Sequence, residues 1–233
     1  VLPLRDINPT RRLPYVTYVL IALNLAVFVY QFLSLSPLDN QLLVRRHGVI
    51  PIFLFSGYGP ALSTLVTSMF LHGGLMHLVS NMWFLHIFGD NVEDALGHLR
   101  FAVFYLATGV VAALVHAATD PGSQLPMIGA SGAISGVLGG YLLMFPRARV
   151  VTLFVVFLVE LPAILFILAW FGLQLFSGFG ELGTNRGAGV AFFAHVGGFL
   201  AGVLWLLILG KPKLEPRAYL GDRIPTRNLR RRA

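Results

Sequence analysis

The sequence predicts an all-α, polytopic membrane protein, a bundle of six transmembrane helices with an interfacial first outer loop. Three observations carry this. Charged residues make up 12% of the 233-residue chain and hydrophobic residues 56%. Soluble domains carry ~25% charged residues, so the supply is too small to cover a water-facing surface. Six apolar runs recur along the chain, most of them near the ~20 residues needed to cross a bilayer. Finally, fourteen of the 17 Lys and Arg residues fall on one side of the resulting topology. That is the bias of cytoplasmic loops, and it accounts for the net charge of +7 without a nucleic-acid partner. The lack of cysteine excludes disulfides, thiolate catalysis and thiolate metal sites.

In order, the first run spans about Pro14 to Leu35, after the basic pair Arg11-Arg12. It is too long for a signal-peptide core and has no small-residue cleavage pattern after it, so it is expected to stay in place. Residues Ser36 to Ser63 are too polar at Arg45, Arg46 and His47 to span, and too apolar at Ile50 to Phe55 to sit freely in water. An interfacial loop and a loop packed on the other helices both fit. The second span is about Leu65 to Phe88, the third about Phe101 to Ala118. The fourth starts near Ser131 and stops before Pro146; its about 15 residues cover only ~22 Å, less than the ~30 Å hydrocarbon core. Pro146-Arg147-Ala148-Arg149 marks its far end as the interface, so the Ser131 end is the sunken one. The fifth span is about Val150 to Leu173 and the sixth about Ala188 to Leu209. The division is thus a cytoplasmic tail over 1–12, a helical domain over 13–210 and a basic cytoplasmic tail over 211–233, disordered in large part. Small size and simple topology point to a prokaryotic inner membrane, with both termini cytoplasmic.

Polar groups inside a membrane are functional candidates. Ser131 opens the fourth helix in Gly129-Ala130-Ser131-Gly132, and His195 lies in the sixth at a similar depth. A neutral imidazole beside a hydroxyl makes a nucleophile and general base. His77 and Asn81, four apart on one face of the second helix, are candidate donors to an oxyanion, together with the Ser131 backbone N–H. No Asp or Glu is placed to orient His195, so the reading is a dyad. Each residue alone also fits a packing role: Asn81, for example, as interhelical glue. Gly132, Gly136 and Gly140 recur at every fourth position, as do Gly198 and Gly202 after His195. Such stripes let membrane helices approach closely; if they face each other, they bring Ser131 and His195 together. His72, Ser68 and Gln124 are candidate linings of a wet cavity, or plain interface residues.

These motifs together resemble the rhomboid family of intramembrane serine proteases. Gly129-Ala130-Ser131-Gly132 resembles its nucleophile motif, Ala194-His195-Val196-Gly197-Gly198 its histidine motif, and His77-Leu78-Val79-Ser80-Asn81 its His-xxx-Asn motif. Phe70-Leu71-His72 and Val92-Glu93-Asp94-Ala95-Leu96-Gly97 match its usual surroundings. The resemblance implies a six-helix fold and endopeptidase cleavage of the transmembrane segments of membrane-protein substrates near the outer face, with no cofactor and no metal. Ser131 would be nucleophile and His195 general base, with His77, Asn81 and the Ser131 amide as oxyanion hole. Gly129, Gly132, Gly136, Gly198, Gly202 and Glu93 would be structural supports. The fifth helix and the loop from Gln174 to Gly187 resemble the region that moves for substrate entry, with Gly178, Gly180, Gly183, Gly187 and Gly189 lending pliability. Two departures stand out. Many members carry an aromatic residue four positions after the nucleophile, against the catalytic histidine; Ser135 stands there, leaving Phe192, Phe193 or glycine packing to hold His195. The Trp-Arg signature of some first outer loops is also absent. Competing readings are a noncatalytic relative that binds clients and a small transporter, although no repeat supports the latter. A His72-His77-His86-His195 metal site is disfavoured, since a spacing of five does not put His72 and His77 on one face.

Overall fold

The computed structural model describes residues 2–57, 60–181 and 192–212. Strand β1 (Leu2–Ile7) leads into α1 (Tyr15–Val29), which continues as a π-turn to Ser34. Next come α2 (Pro37–His47), α3 (Pro51–Phe55), α4 (Ala61–Thr67), α5 (Leu75–Leu96), α6 (His98–Thr119) and α7 (Ser131–Met144). Strands β2 (Arg149–Phe154) and β3 (Phe157–Pro162) then form a hairpin before α8 (Ala163–Glu181) and α9 (Phe192–Leu209). By length and apolarity three helical segments can cross a membrane, Tyr15–Ser34, His98–Thr119 and Phe192–Leu209; α4 and α5 together add a fourth, broken one.

Two expectations are corrected. The fold is not all-α: β1, β2 and β3 form an antiparallel sheet in that order. The fifth span also does not start at Val150. The run Val150 to Val159 is rich in β-branched residues, which favour strands, and it pairs Val150 with Leu161 and Thr152 with Val159. Only from Ala163, after Pro162, does the chain turn helical. Within the 1–12 segment, Leu2 to Ile7 pairs along β2. Asp6 accepts hydrogen bonds from the Tyr141 hydroxyl (2.6 Å) and the Asn91 amide (2.9 Å), and the Trp83 indole donates to the Pro3 carbonyl (2.6 Å). Residues 213–233, most of the basic tail, lie outside the described residues.

The second span is also corrected. It breaks at Leu71 to Gly74, and the helical stretches on either side, Ala61–Phe70 and Leu75–Leu96, meet at 83°. The adjacent glycines Gly73 and Gly74 have little helix propensity, and Gly74 is fully extended (φ 170°, ψ 169°). His77 and Asn81 therefore lie within the first two turns of α5 rather than in the middle of a longer helix.

Helix α1 turns a polar seam inward: Thr17, Asn24 and Gln31 are buried at intervals of seven, which keeps them on one face. Buried Glu93 of α5 accepts from the Val16 N–H (2.9 Å), the Thr17 N–H (2.7 Å) and the Thr17 hydroxyl (2.7 Å). A carboxylate on the orphan amides at a helix start satisfies those donors and matches the positive end of the helix dipole. Oε1, the oxygen that takes the Val16 N–H, also lies 2.6 Å from His98 Nδ1. Glu93 thus ties α1, α5 and the start of α6. The 36–63 segment combines both expected characters. Val49 and Ile50 are buried while Phe53 and Phe55 are exposed, and Val49 pairs with Met127 in the loop before Ser131.

Helix α7 is the central element. It packs between α6 and α9, and every residue from Gly132 to Tyr141 is buried. A Cβ on Gly198 would overlap the Gly132 carbonyl oxygen, and one on Gly202 the Gly136 carbonyl oxygen. Helix α9 thus lies directly on the α7 backbone. The two stripes therefore meet at Gly132 and Gly136, and the missing side chains of Gly132, Gly136 and Gly140 point toward α6. A Cβ on Gly132 would meet Ala112 at 2.6 Å, one on Gly136 would overlap Thr108, and one on Gly140 would meet Phe104 at 3.1 Å. On α7 it is Gly139 that faces α9, against the Phe199 carbonyl. Contact on two sides at once is the reason a single helix carries so many small residues.

Candidate active site

The Ser131 hydroxyl sits at the first position of α7, and His195 in the first turn of α9 as described. Close packing of α9 on α7 sets the two side chains together, with Ser131 Oγ 2.7 Å from His195 Nε2. Both are half-buried. The far ring nitrogen, Nδ1, lies 2.6 Å from Oε1 of Gln174 on α8. With the amide oxygen toward the ring, which can only accept, the proton belongs on Nδ1 and Nε2 is the acceptor for the Ser131 O–H.

The aromatic surroundings of His195 also come from α8 and α9. The Trp170 ring is tilted against the imidazole at 6.1 Å between centroids, and Phe192 approaches edge-on at 6.4 Å. Phe192 was among the expected supports; Gln174 and Trp170 were not. Ser135, at the position where relatives carry an aromatic, donates to the Ser131 carbonyl at 2.7 Å instead. Such i−4 bonding is common for serine inside a helix.

Gly129 brings the α5 residues to the site. Its φ of +123° suits only glycine, and its N–H donates to the Ser68 carbonyl at 2.9 Å. A Cβ there would meet His77 Nε2 at 2.7 Å and Asn81 Nδ2 at 3.7 Å. Hence both nitrogens converge on the turn two residues ahead of Ser131. The Asn81 amide is itself held, donating to His72 Nε2 at 3.0 Å. His72 is fully buried and packs edge-on against His77, and its backbone N–H donates to the Gln31 side chain at 3.1 Å. His72 is therefore a brace for Asn81. A small cavity lined by Ser68, Met127, Gly129, Ser131 and Ala194 has room for about one water. Among the described residues no cluster of His, Asp and Glu could hold a metal ion.

The expected loop from Gln174 is corrected: α8 continues to Glu181, so Gln174, Gly178 and Gly180 are helical. Gly183, Gly187 and Gly189 fall outside the described residues.

The long apolar helices and the polar cluster at their ends define an integral membrane protein with a hydroxyl–imidazole site. The chain belongs to the rhomboid family, residues 60–212 matching the model of the Rhomboid domain. It is 31% identical over 150 residues to RHOMBOID-like protein 5 of Arabidopsis thaliana, covering 64% of this chain and 45% of that one. Rhomboid protease GluP of Bacillus subtilis is 28% identical over 207 residues, covering 86% of this chain and 36% of that one. Rhomboid-like protein 11, chloroplastic, of Arabidopsis thaliana is 39% identical over 90 residues, covering 39% of this chain and 31% of that one. The chain spans less than half the length of each of these relatives. Their sources include a bacterium and a plant chloroplast, so similarity does not single out a prokaryotic inner membrane.

Proposed function

We propose that the protein is an intramembrane serine endopeptidase that cleaves transmembrane segments of membrane proteins near the outer face. The observation that carries this is the 2.7 Å contact of Ser131 Oγ with His195 Nε2, at a helix start where the His77 and Asn81 nitrogens converge. Ser131 Oγ attacks the scissile carbonyl while its proton passes to His195 Nε2. The developing oxyanion takes hydrogen bonds from His77, Asn81 and the Ser131 backbone N–H. His195 then protonates the leaving amine, and it later draws a proton from the water that hydrolyses the acyl-enzyme. A helical substrate must first unwind, since its carbonyls are tied up in backbone bonds. Small or helix-breaking residues near the scissile bond are expected for that reason.

In this reading α1, α5, α6, α7, α8 and α9 are six crossings with both termini cytoplasmic. The aromatic contact of α8 with α5 through Trp170 and Phe84 at 6.4 Å makes the α5–α8 seam the entry route for substrate. The name of the Bacillus subtilis relative, a rhomboid protease, agrees with this assignment.

The deciding experiment is cleavage of a single-span model substrate in liposomes by the wild type, Ser131→Ala and His195→Ala. Both variants should lose cleavage, by roughly a thousandfold or more as for disabled hydroxyl–imidazole machinery elsewhere. Normal cleavage by either would remove the residue concerned from the mechanism.

A further inference from the structure

We infer that Gln174 is the positioning residue of this site: it holds His195 in the tautomer and orientation that let Nε2 take the Ser131 proton. The inference rests on the hydrolytic reading above and assigns a role to a residue that reading does not need.

The geometry is specific. Among the described residues, the hydrogen-bond partners of the His195 ring are Ser131 at Nε2 and Gln174 at Nδ1. Gln174 is 9% exposed, so its Oε1 has little competing water. The two faces of an amide have opposite consequences here. With oxygen toward Nδ1, the proton sits on Nδ1 and Nε2 accepts from the serine. With nitrogen toward Nδ1, the proton would sit on Nε2, which could then only donate to the serine and could not act as base. The requirement for the base thus fixes the amide oxygen as the group facing the ring.

The neutral amide also suits the medium. A carboxylate in this place would bury a charge at membrane depth, which is costly without a partner. An amide acceptor selects the same tautomer without that charge. It gives up the carboxylate's stabilisation of imidazolium, so a smaller effect is expected than the ~10⁴ lost when the aspartate of a Ser-His-Asp triad is replaced.

Gln174 lies one turn from Trp170, which is one turn from Phe166; spacings of four place all three on one face of α8. Trp170 touches Phe84 of α5 as well as the His195 ring, and Phe166 stacks near Phe88 of α5 at 6.0 Å. The helix that seals against α5 therefore also carries the acceptor for His195.

The test compares wild type, Gln174→Leu, Gln174→Asn, Gln174→Glu and Ser131→Ala in the same detergent, with monodispersity and thermal unfolding as folding controls. Leucine removes the acceptor at similar size, and asparagine withdraws it by one methylene. Both should lower kcat by about tenfold or more, well short of ~10⁴, with KM within about twofold. Glutamate, which offers an acceptor oxygen in either protonation state and can only accept when ionised, should restore most of the kcat that leucine loses. In ¹⁵N-histidine NMR, His195 should be the Nδ1–H tautomer in wild type and Ser131→Ala, and lose that preference in Gln174→Leu. A folded Gln174→Leu variant with wild-type kcat would overturn the role. So would an effect on KM alone, or His195 found as the Nε2–H tautomer in wild type. If Ser131→Ala is inactive while Gln174→Leu is intact, only the positioning role fails. If Ser131→Ala still cleaves, the hydrolytic reading fails and takes this inference with it.

Discussion

At the scale of single residues, Gly129 is constrained twice. Its φ of +123° excludes a side chain comfortably, and a Cβ would press on His77 Nε2 at 2.7 Å. Gly129→Ala should therefore act on both the turn and the oxyanion side of the site. The backbone conflict is worth about 1–3 kcal/mol, and displacement of His77 should cost more than about tenfold in turnover, comparable to weakening one oxyanion donor. Gly73→Ala is the matched control, since a Cβ there meets nothing within 4 Å, and it should be close to neutral. Equal activity of the two variants in a substrate-cleavage assay would separate Gly129 from the site. Ser131, His195, His77 and Asn81 stand out as candidates in the sequence because each interrupts an apolar run with a costly polar group, and a dense glycine context flags backbone proximity. Gln174 was not. It is a single amide followed closely by a glycine-rich stretch, and a sequence cannot distinguish the last buried turn of a helix from the first residue of a loop. His72 was visible as a residue but not as a brace, because its bond to Asn81 spans a helix break.

At the scale of elements, two helices were misread for identifiable reasons. Hydropathy windows treat Val150 to Leu173 as one apolar segment, yet its first ten residues alternate poorly with helical period and are dominated by Val, Phe and Leu. Short apolar runs of this kind are ambiguous between strand and helix, and Glu160 with Pro162 was the punctuation that marked the change. The Gly73-Gly74 pair likewise broke what composition alone joins into one span. The glycine stripes announced the close packing of α9 on α7 but not the second partner: Gly132 and Gly136 carry Gly198 and Gly202 on their backbone while their open side faces α6, a division that needs the rotation of three helices at once. Helix α8, by contrast, meets α5 largely through large aromatics. Trp170 touches both Phe84 and His195, so Trp170→Ala changes the seam and the base together. Phe84→Ala loosens the seam from the far side. An aromatic pair contributes about 0.5–1.5 kcal/mol, so kcat/KM on a transmembrane substrate should rise about two- to tenfold. Labelling of Ser131 by a small serine-directed probe, which needs no helical substrate to enter, should not accelerate. Acceleration of both, or of neither, would remove the α5–α8 seam as the entry route.

At the scale of the whole molecule, the site depends on parts far from it. Helix α7 holds Ser131 at one end and, at its other end, offers the Tyr141 hydroxyl to Asp6 on β1. The same Asp6 carboxylate receives Asn91 of α5, while Glu93 one turn nearby fastens the start of α1. One charged residue of the first strand thus links the sheet, the helix that begins at the serine and the helix that carries His77 and Asn81. Residues 2–7 of the N-terminal flank are a hydrogen-bonded edge of the fold. Asp6→Ala removes a charge-assisted acceptor from two donors; Asn91 retains Asp90 as an acceptor, whereas Asn8 donates to the Tyr141 hydroxyl and does not take its proton. The loss should be about 2 kcal/mol of stability, within the ~1.5–3 kcal/mol of hydrogen bonds to charged groups. Thermal unfolding in detergent should register it, while serine-probe labelling at low temperature stays unchanged because the Ser131–His195 contact lies at the opposite end of α7. Arg5→Ala, exposed on the same strand, should fall within about 0.5 kcal/mol of wild type. If Asp6→Ala and Arg5→Ala are equally silent, the strand is a passive attachment and the stability of α7 has to come from its contacts with α6 and α9 alone.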